Sequence, residues 1–256
     1  MELPFIASGF GVGMLVGMTG VGGGSLMTPL LILLFGIHPA TAVGTDLLFA
    51  ASTKTAGSLC HGFSRNIAWR VVALLAAGSL PATALTLLVL SWLPLQSAAA
   101  SSAINMLLGI ALVLTGGALL FRRWLVATYG ERVRRMSRGR RNTLTILTGA
   151  VLGVLVSISS VGAGALGVTA LILLYPKQPT VRIVGSDIAH AVPLTLLAGF
   201  GHWLIGSIDF TLLGSLLLGS IPGIVAGSFA ANRVPDAVLR PIFAATLFLV
   251  GSKLLF

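Results

Sequence analysis

The sequence predicts an all-α polytopic membrane protein made of two homologous repeats, and three observations support this fold class. Of its 256 residues, 56% are hydrophobic and only 9% are charged, whereas a soluble domain carries about 25% charged residues. The apolar residues form eight long stretches, and six of these have the roughly 20 residues that a membrane-spanning helix needs. The third observation is that the second half of the chain repeats the first.

The eight apolar stretches predict the membrane helices. They are Leu3–Phe35, Thr41–Cys60, Trp69–Leu90, Ser97–Phe121, Thr143–Tyr175, Val181–Ile205, Phe210–Phe229 and Ala237–Leu255. The first and fifth are too long for one span, and small residues interrupt them at Gly20–Ser25 and Ser159–Ala165. Glycine and serine weaken a helix interior, so each long stretch is expected to be two short helices around a break. Non-helical backbone at membrane depth survives only where protein buries it or it lines an aqueous cavity. Both breaks are therefore candidate sites.

An internal duplication relates the two halves of the chain. Gly13–Phe35 aligns without a gap with Gly153–Tyr175, and one inserted residue later Gly44-Thr45-Asp46 matches Gly185-Ser186-Asp187. The predicted organisation is a first transmembrane repeat, an Arg-rich cytoplasmic linker and a second transmembrane repeat, at residues 1–121, 122–142 and 143–256. Each repeat is expected to contain a broken helix or hairpin followed by three transmembrane helices.

The basic residues bear on the orientation of the repeats. Eight of the 16 Lys and Arg residues lie between Arg122 and Arg141, which is typical of a solvated cytoplasmic loop and speaks against nucleic-acid binding. If each long stretch crosses the membrane once, the repeats are parallel and several other basic residues face outside. If each is a hairpin, nearly all basic residues are cytoplasmic and the repeats are inverted, a common plan for secondary transporters. The charge bias favours inversion.

The sequence carries no signature of an enzyme, a cofactor or a metal centre. Cys60 is the single cysteine, and no Cys/His/Asp spacing suggests metal ligation. A Gly-x4-Gly-Lys-(Ser/Thr) motif for nucleotides is absent, as is the Gly-x-Ser-Gly context of an intramembrane serine protease. Glu2 stands where a signal peptide carries Lys or Arg, so no cleaved signal is expected.

The two glycine-rich breaks are the predicted anion site. If they are hairpin tips, the helices after them begin inside the protein, where free N–H groups and the positive end of the helix dipole favour an anion. The alternative is close helix packing through small residues. The predicted substrate-binding residues are Thr19, Gly22, Gly23, Gly24, Ser25, Thr45, Lys54, Ser160, Gly162, Gly164 and Ser186.

Four ionisable residues lie within the predicted spans beside these breaks. Asp46 and Asp187 follow the same Gly-(Thr/Ser) pair in both repeats. They either satisfy free N–H groups at a helix terminus or form a proton-coupling or site-organising pair, and the two roles are compatible. His190 lies three residues after Asp187, on the same helix face, where it is placed to tune that carboxylate. Lys54 aligns with Thr195 and so has no charged counterpart. It either snorkels, pairs with a carboxylate or attracts the substrate.

These motifs resemble the sulfite exporter TauE/SafE family of membrane transporters. The resemblance rests on Gly20–Leu26 with Pro29 after it, and on Pro39 with Ala42–Asp46. The second repeat matches the same motifs less closely, at Val161–Gly164 and Val184–Asp187. The match covers nearly the whole chain.

The resemblance implies a function that composition and spacing do not reach. Through this family, the chain is similar to transporters of sulfite, sulfonates and related anions in the bacterial cytoplasmic (inner) membrane. The expected function is therefore secondary transport of a small sulfur-containing anion, sulfite or an organosulfonate, by a multi-pass protein coupled to protons. A passive anion channel of the same architecture is the alternative, and an intramembrane enzyme is less well supported. The expected partners are the anion and the lipid bilayer, and a homodimer is left open.

The second repeat departs from the family pattern of the first. Its residues Ala163, Ala165 and Thr169 replace Gly23, Ser25 and Pro29. A substrate between the two breaks would therefore be bound asymmetrically.

Overall fold

The computed structural model describes residues 3–19, 24–63, 67–231 and 236–256, and α-helices account for nearly all of them. The helices are α1 (Leu3–Thr19), α2 (Gly24–Phe35), α3 (Pro39–Phe63), α4 (Trp69–Ser91), α5 (Ala98–Arg134), α6 (Arg138–Ser159), α7 (Ala165–Leu174), α8 (Thr180–Leu204), α9 (Phe210–Ala231) and α10 (Asp236–Leu255). No strand occurs in these ranges. The predicted all-α fold is confirmed.

Helix length separates the spans from the shorter helices. α4, α5, α6, α8 and residues Phe210–Gly227 of α9 are long and apolar enough to cross a membrane. α2 and α7 have 12 and 10 residues, and at about 1.5 Å per residue neither can cross a hydrocarbon core of about 30 Å. The fifth apolar stretch is thus divided into two helices, as the sequence predicted, and in the first stretch α1 ends at Thr19 and α2 begins at Gly24, with residues 20–23 outside the described part of the chain.

The Arg-rich segment is mostly helical, so the predicted loop was wrong, although most of its arginines are exposed. α5 continues without a break to Arg134, and α6 begins at Arg138 after three residues. Ser137 caps α6 by accepting a hydrogen bond from the Arg140 backbone N–H. Arginine is a good helix former, so charge alone did not interrupt the helix. With 37 residues, α5 is about 55 Å long and extends beyond the hydrocarbon layer.

The two repeats are interlocked through small residues. α1 packs along α9, where Gly13 lies against the backbone of Ser220, and α6 packs along α4, where Gly153 lies against the backbone of Ser79. A Cβ atom at either glycine would collide with that backbone. The alignment of the repeats maps one contact onto the other, so each repeat contributes the same surface to the other repeat.

The contacts between helices give their relative directions. α4 and α8 run in the same direction, since Ser79 contacts His190 and, farther along both helices, Leu87 contacts Gly201. α6 runs the same way beside α4, because Leu75 meets Gly149 and Ser79 meets Gly153. With α6 and α8 in one direction, the short α7 between them must return in the other, and α6 and α7 form a hairpin.

The equivalent helices α3 and α8 cross each other in opposite directions. Gly44, early in α3, approaches His202 late in α8, while the later Leu48 approaches the earlier Gly199. The equivalent pair α5 and α10 is also antiparallel. These two pairs hold the repeats together along the middle of the molecule and position the site described next.

Candidate functional site

The turn between α6 and α7 forms the base of the candidate site. Ser160 adopts a left-handed conformation with φ of 58°, and Gly162 and Gly164 have φ values of 126° and 134°. L-residues with side chains rarely adopt the glycine conformations, so this turn depends on glycine. Residues 160–164 are buried, and α7 therefore begins inside the protein. The predicted break is present, and it is non-helical backbone enclosed by protein.

The first break is described only at its edges. Thr19 is the last residue of α1 and Gly24 the first of α2, while Gly22 and Gly23 lie outside the described residues. Ser25, in the first turn of α2, is buried. The predictions for the first tip stay predictions.

Lys54 connects the first repeat to the turn of the second. From α3 its Nζ donates a hydrogen bond of 2.9 Å to the Ala163 carbonyl oxygen, and the residue is 7% exposed. Its ammonium also interacts electrostatically with Asp187 and Asp46. Lys54 thus does not snorkel to an interface; it places a positive charge inside the protein beside the second glycine turn.

Asp46 joins α3 to α2. The carboxylate is completely buried, and its Oδ2 accepts a hydrogen bond of 2.5 Å from the Thr28 hydroxyl of α2. The Ser160 hydroxyl lies beside the same carboxylate without making a hydrogen bond of good geometry to any described residue. Asp46 therefore fixes α2 and also faces the turn of the opposite repeat. Thr28 was not among the predicted site residues.

Asp187 occupies the equivalent position in the second repeat with different neighbours. It is 1% exposed, and its Oδ1 lies so close to Gly167 of α7 that a Cβ atom there would collide with it. Within the described part of the chain, this oxygen has no hydrogen-bond partner. The residue that aligns with Thr28 is Val168, which has no hydroxyl group to offer.

His190 bonds across to α4. Its Nε2 lies 2.8 Å from the Ser79 hydroxyl, and the ring is fully buried. In the alignment the pair corresponds to Phe49 and Ser220, so this polar contact occurs in one repeat alone. His190 belongs to the polar interior near Asp187, while its observed hydrogen bond holds α8 to α4.

Thr45 and Ser186 connect the repeats at two equivalent points. The Thr45 hydroxyl accepts a hydrogen bond of 3.1 Å from the Asp209 backbone N–H, just before α9. The Ser186 hydroxyl accepts one of 2.8 Å from the Ala68 N–H, just before α4. Each hydroxyl therefore satisfies a donor at the start of a helix in the other repeat. The sequence predicted both residues to bind the substrate, and these hydrogen bonds between the repeats were not predicted.

The structure gathers one ammonium and two carboxylates around the second turn. Lys54 and Asp46 come from α3, Asp187 comes from α8, and the turn supplies backbone groups at the start of α7. Among the described residues, no group of His, Cys, Asp and Glu side chains is arranged to hold a metal ion. The arrangement is suited to charge compensation inside the protein rather than to a bond-breaking reaction.

Comparisons with known proteins agree on one family. A family model described as "Sulfite exporter TauE/SafE" matches residues 5–254. The chain is 39% identical over the full length of both proteins to probable membrane transporter protein YjnA of Bacillus subtilis (strain 168). It is 28% identical to the probable membrane transporter YdhB of the same organism, covering 96% of this chain and 97% of that one. A probable membrane transporter of Xylella fastidiosa (strain 9a5c) is 26% identical over 89% of this chain and 84% of its own. No solved structure matches the chain.

Proposed function

The chain belongs to the sulfite exporter TauE/SafE family, and on this premise we propose that it moves a small sulfur-containing anion, sulfite or an organosulfonate, together with protons. The family and the relatives named above are membrane transporters and not enzymes, and the apolar spans make this chain a multi-pass membrane protein. The identity of the anion, the coupling to protons and the location of the site are the proposed parts.

The observation that carries the proposal is the buried contact between Lys54 and the second turn. A lysine ammonium this deeply buried requires a compensating partner, and here it donates to a main-chain oxygen of a turn from which α7 begins. The start of that helix adds free N–H groups and the positive end of its dipole. An anion bound there would replace or share the Ala163 carbonyl as the partner of Lys54.

The directions of equivalent helices support inverted repeats. α3 and α8 are aligned in sequence yet run in opposite directions, and so do α5 and α10. Inverted repeats allow the two hairpins to approach one site from opposite sides of the membrane, so that the same site can open to either side in turn. The concentration of Arg at the junction of the repeats agrees with a cytoplasmic position for that junction.

The formal charge of the site supports coupling to protons. With Asp46 and Asp187 ionised and Lys54 protonated, these three groups carry one excess negative charge, which opposes the entry of an anion into a low-dielectric interior. One proton on a carboxylate removes that excess. Anion and proton would therefore enter the site together.

Reconstitution tests the proposal directly. Purified protein in proteoliposomes is expected to exchange labelled sulfite for unlabelled sulfite, and to accumulate it against its gradient when a pH gradient is imposed. Accumulation separates a coupled transporter from a passive channel, which can only equilibrate the anion. Protein that mediates no flux of sulfite, sulfoacetate or taurine would contradict the proposed function, and flux without accumulation would leave a channel as the better description.

A further inference from the structure

We propose that the two equivalent aspartates have separate tasks: Asp187 carries the transported proton, and Asp46 is a fixed latch between α2 and α3. The inference rests on the proposed function, and it names the group within that site which accepts and releases the proton. Its basis is a difference in the surroundings of two residues that the duplication would otherwise make interchangeable.

The Asp46 carboxylate is committed to a structural contact. Its Oδ2 accepts a short hydrogen bond from the Thr28 hydroxyl, and hydrogen bonds to a carboxylate are among the stronger ones in proteins. The contact joins α3 to the short helix after the first break, two elements that otherwise meet mainly through apolar residues such as Met27 and Phe49. Releasing Asp46 in each transport cycle would break this contact between α2 and α3 each time.

The Asp187 carboxylate lacks the threonine hydroxyl that holds Asp46. Gly167 leaves room for that oxygen directly against α7, where the first repeat has the bulky Met27. Oδ1 is buried and has no hydrogen-bond partner within the described residues, and Oδ1 of Asp46 is likewise without one. The two carboxylates differ because Asp46 also accepts the Thr28 hydroxyl, whereas Val168 at the aligned position has no hydroxyl to donate. A buried, unpartnered carboxylate oxygen carries a large desolvation cost when ionised, and the cost is removed when a proton, or a donor on a bound ligand, arrives. Of the two carboxylates, Asp187 is thus the one less committed to a structural contact.

The charged and titratable groups around Asp187 come from two helices in the described part of the chain. α3 contributes Lys54, which interacts with both Asp187 and Asp46, and α8 itself contributes His190, three residues after Asp187. α7 presents Gly167 to Asp187, and α4 presents Ser79 to His190; neither residue titrates. Lys54 is close enough to act on Asp187, yet its hydrogen bond goes to Ala163. A proton on Asp187 therefore changes the site from one excess negative charge to neutrality while leaving Lys54 free to face an anion.

The transport step that follows is balanced in charge and atoms. One proton from the solution on one side binds Asp187, and one anion binds beside Lys54 at the start of α7. Both leave on the other side, and the carboxylate returns to its ionised state. No bond within the anion is made or broken, and no oxidant or reductant is needed.

Two matched variants test the division of tasks in proteoliposomes. Sulfite counterflow without a pH gradient reports transport, and stimulation of uptake by an imposed pH gradient reports coupling. Asp187→Asn is expected to show counterflow at a reduced rate and to lose the stimulation, because the amide is permanently neutral. Thr28→Val is expected to keep the stimulation and to melt at a lower temperature, because it removes the bond to Asp46 and leaves both carboxylates in place. Sulfite itself takes up a proton near neutral pH, so only differences between proteins under the same gradient are compared.

The outcomes separate this inference from the proposed function. Wild-type protein without counterflow overturns both. If counterflow is present in the wild type, the division of tasks alone is overturned when Thr28→Val loses the stimulation, with or without Asp187→Asn. It is also overturned when neither variant loses the stimulation. If Asp187→Asn does not fold, the wild-type protein answers the question through labelling with dicyclohexylcarbodiimide, which modifies protonated buried carboxyl groups. Peptide mapping is expected to find Asp187 labelled in preference to Asp46, with less labelling at higher pH and in the presence of sulfite; preferential labelling of Asp46 overturns the inference.

Discussion

The Lys54 ammonium of the first repeat donates a 2.9 Å hydrogen bond to the Ala163 carbonyl oxygen of the second. The contact brings a cation from the middle of one span to the non-helical turn of the opposite hairpin, across 109 residues of sequence. Because Thr195 takes the place of Lys54 in the other repeat, the charge has no symmetric counterpart. The site therefore has a single cationic side, even though its framework is duplicated.

Lys54→Gln is expected to abolish sulfite binding and counterflow. The amide can still donate a hydrogen bond, but without the ammonium the two carboxylates are uncompensated and an anion is repelled. Binding is measured as the rise in melting temperature that sulfite produces in detergent. Lys177→Gln is the control, since it removes the same charge from an exposed position between α7 and α8. A sulfite-induced rise in Lys54→Gln equal to that of the wild type would contradict the assigned role.

Thr28→Val is expected to destabilise the protein by about 1–3 kcal/mol, the usual effect of leaving a buried polar group without its partner. Valine preserves the shape of threonine, so the change isolates the hydrogen bond to Asp46. The measurement is the unfolding midpoint in detergent, with Thr28→Ser as the variant expected to restore stability. The matched control is Thr246→Val, which makes the same exchange at an exposed position of α10. Equal stability of Thr28→Val and the wild type would show that Asp46 is not a latch.

The sequence predicts those parts of the site that both repeats preserve. Asp46 and Asp187 stand out because the duplication keeps them, and the glycine breaks stand out because they interrupt two over-long apolar stretches. Thr28 was missed because Val168 replaces it and no local pattern connects it to a carboxylate 18 residues later. The acceptor of Lys54 was missed because a backbone carbonyl leaves no signature in the sequence.

Some features of the fold can likewise be predicted from the distribution of hydrophobic residues, and others cannot. Hydrophobicity fixed the positions of the spans, since the bilayer requires about 20 apolar residues for each one. Hydrophobicity does not predict that α5 continues through the Arg-rich segment to Arg134, because arginine is compatible with a helix as well as with a solvated loop. The cross-repeat bonds of Thr45 and Ser186 depend on which helices become neighbours, and composition does not encode that.

Gly13→Ala is expected to destabilise the protein by about 1–3 kcal/mol, within the range for overpacking of a close-packed interior. An added Cβ at Gly13 collides with the backbone of Ser220 in α9, and rigid backbone cannot move aside as a side chain can. Gly11→Ala is the control two residues earlier in the same helix, where nothing lies within 4 Å of an added Cβ. The control is expected to be neutral or slightly stabilising, because alanine favours helix over glycine. Similar unfolding midpoints for both variants would mean that α1 and α9 do not pack in this way.

Ser186→Ala and Thr45→Ala are expected to lower stability by similar amounts, about 1–3 kcal/mol each, without changing the affinity for sulfite. Each removes the acceptor of one backbone N–H, that of Ala68 or of Asp209, in the opposite repeat, and an unsatisfied buried donor has a cost of that size. Because the two bonds occupy equivalent positions at opposite ends of the interface between repeats, the double variant is expected to show additive losses. Unfolding midpoints give the stability, and the sulfite-induced rise in melting temperature gives the affinity. A weakened response to sulfite in either variant would indicate that the hydroxyl binds the substrate. A purely structural contact is not expected to alter anion binding in protein that remains folded.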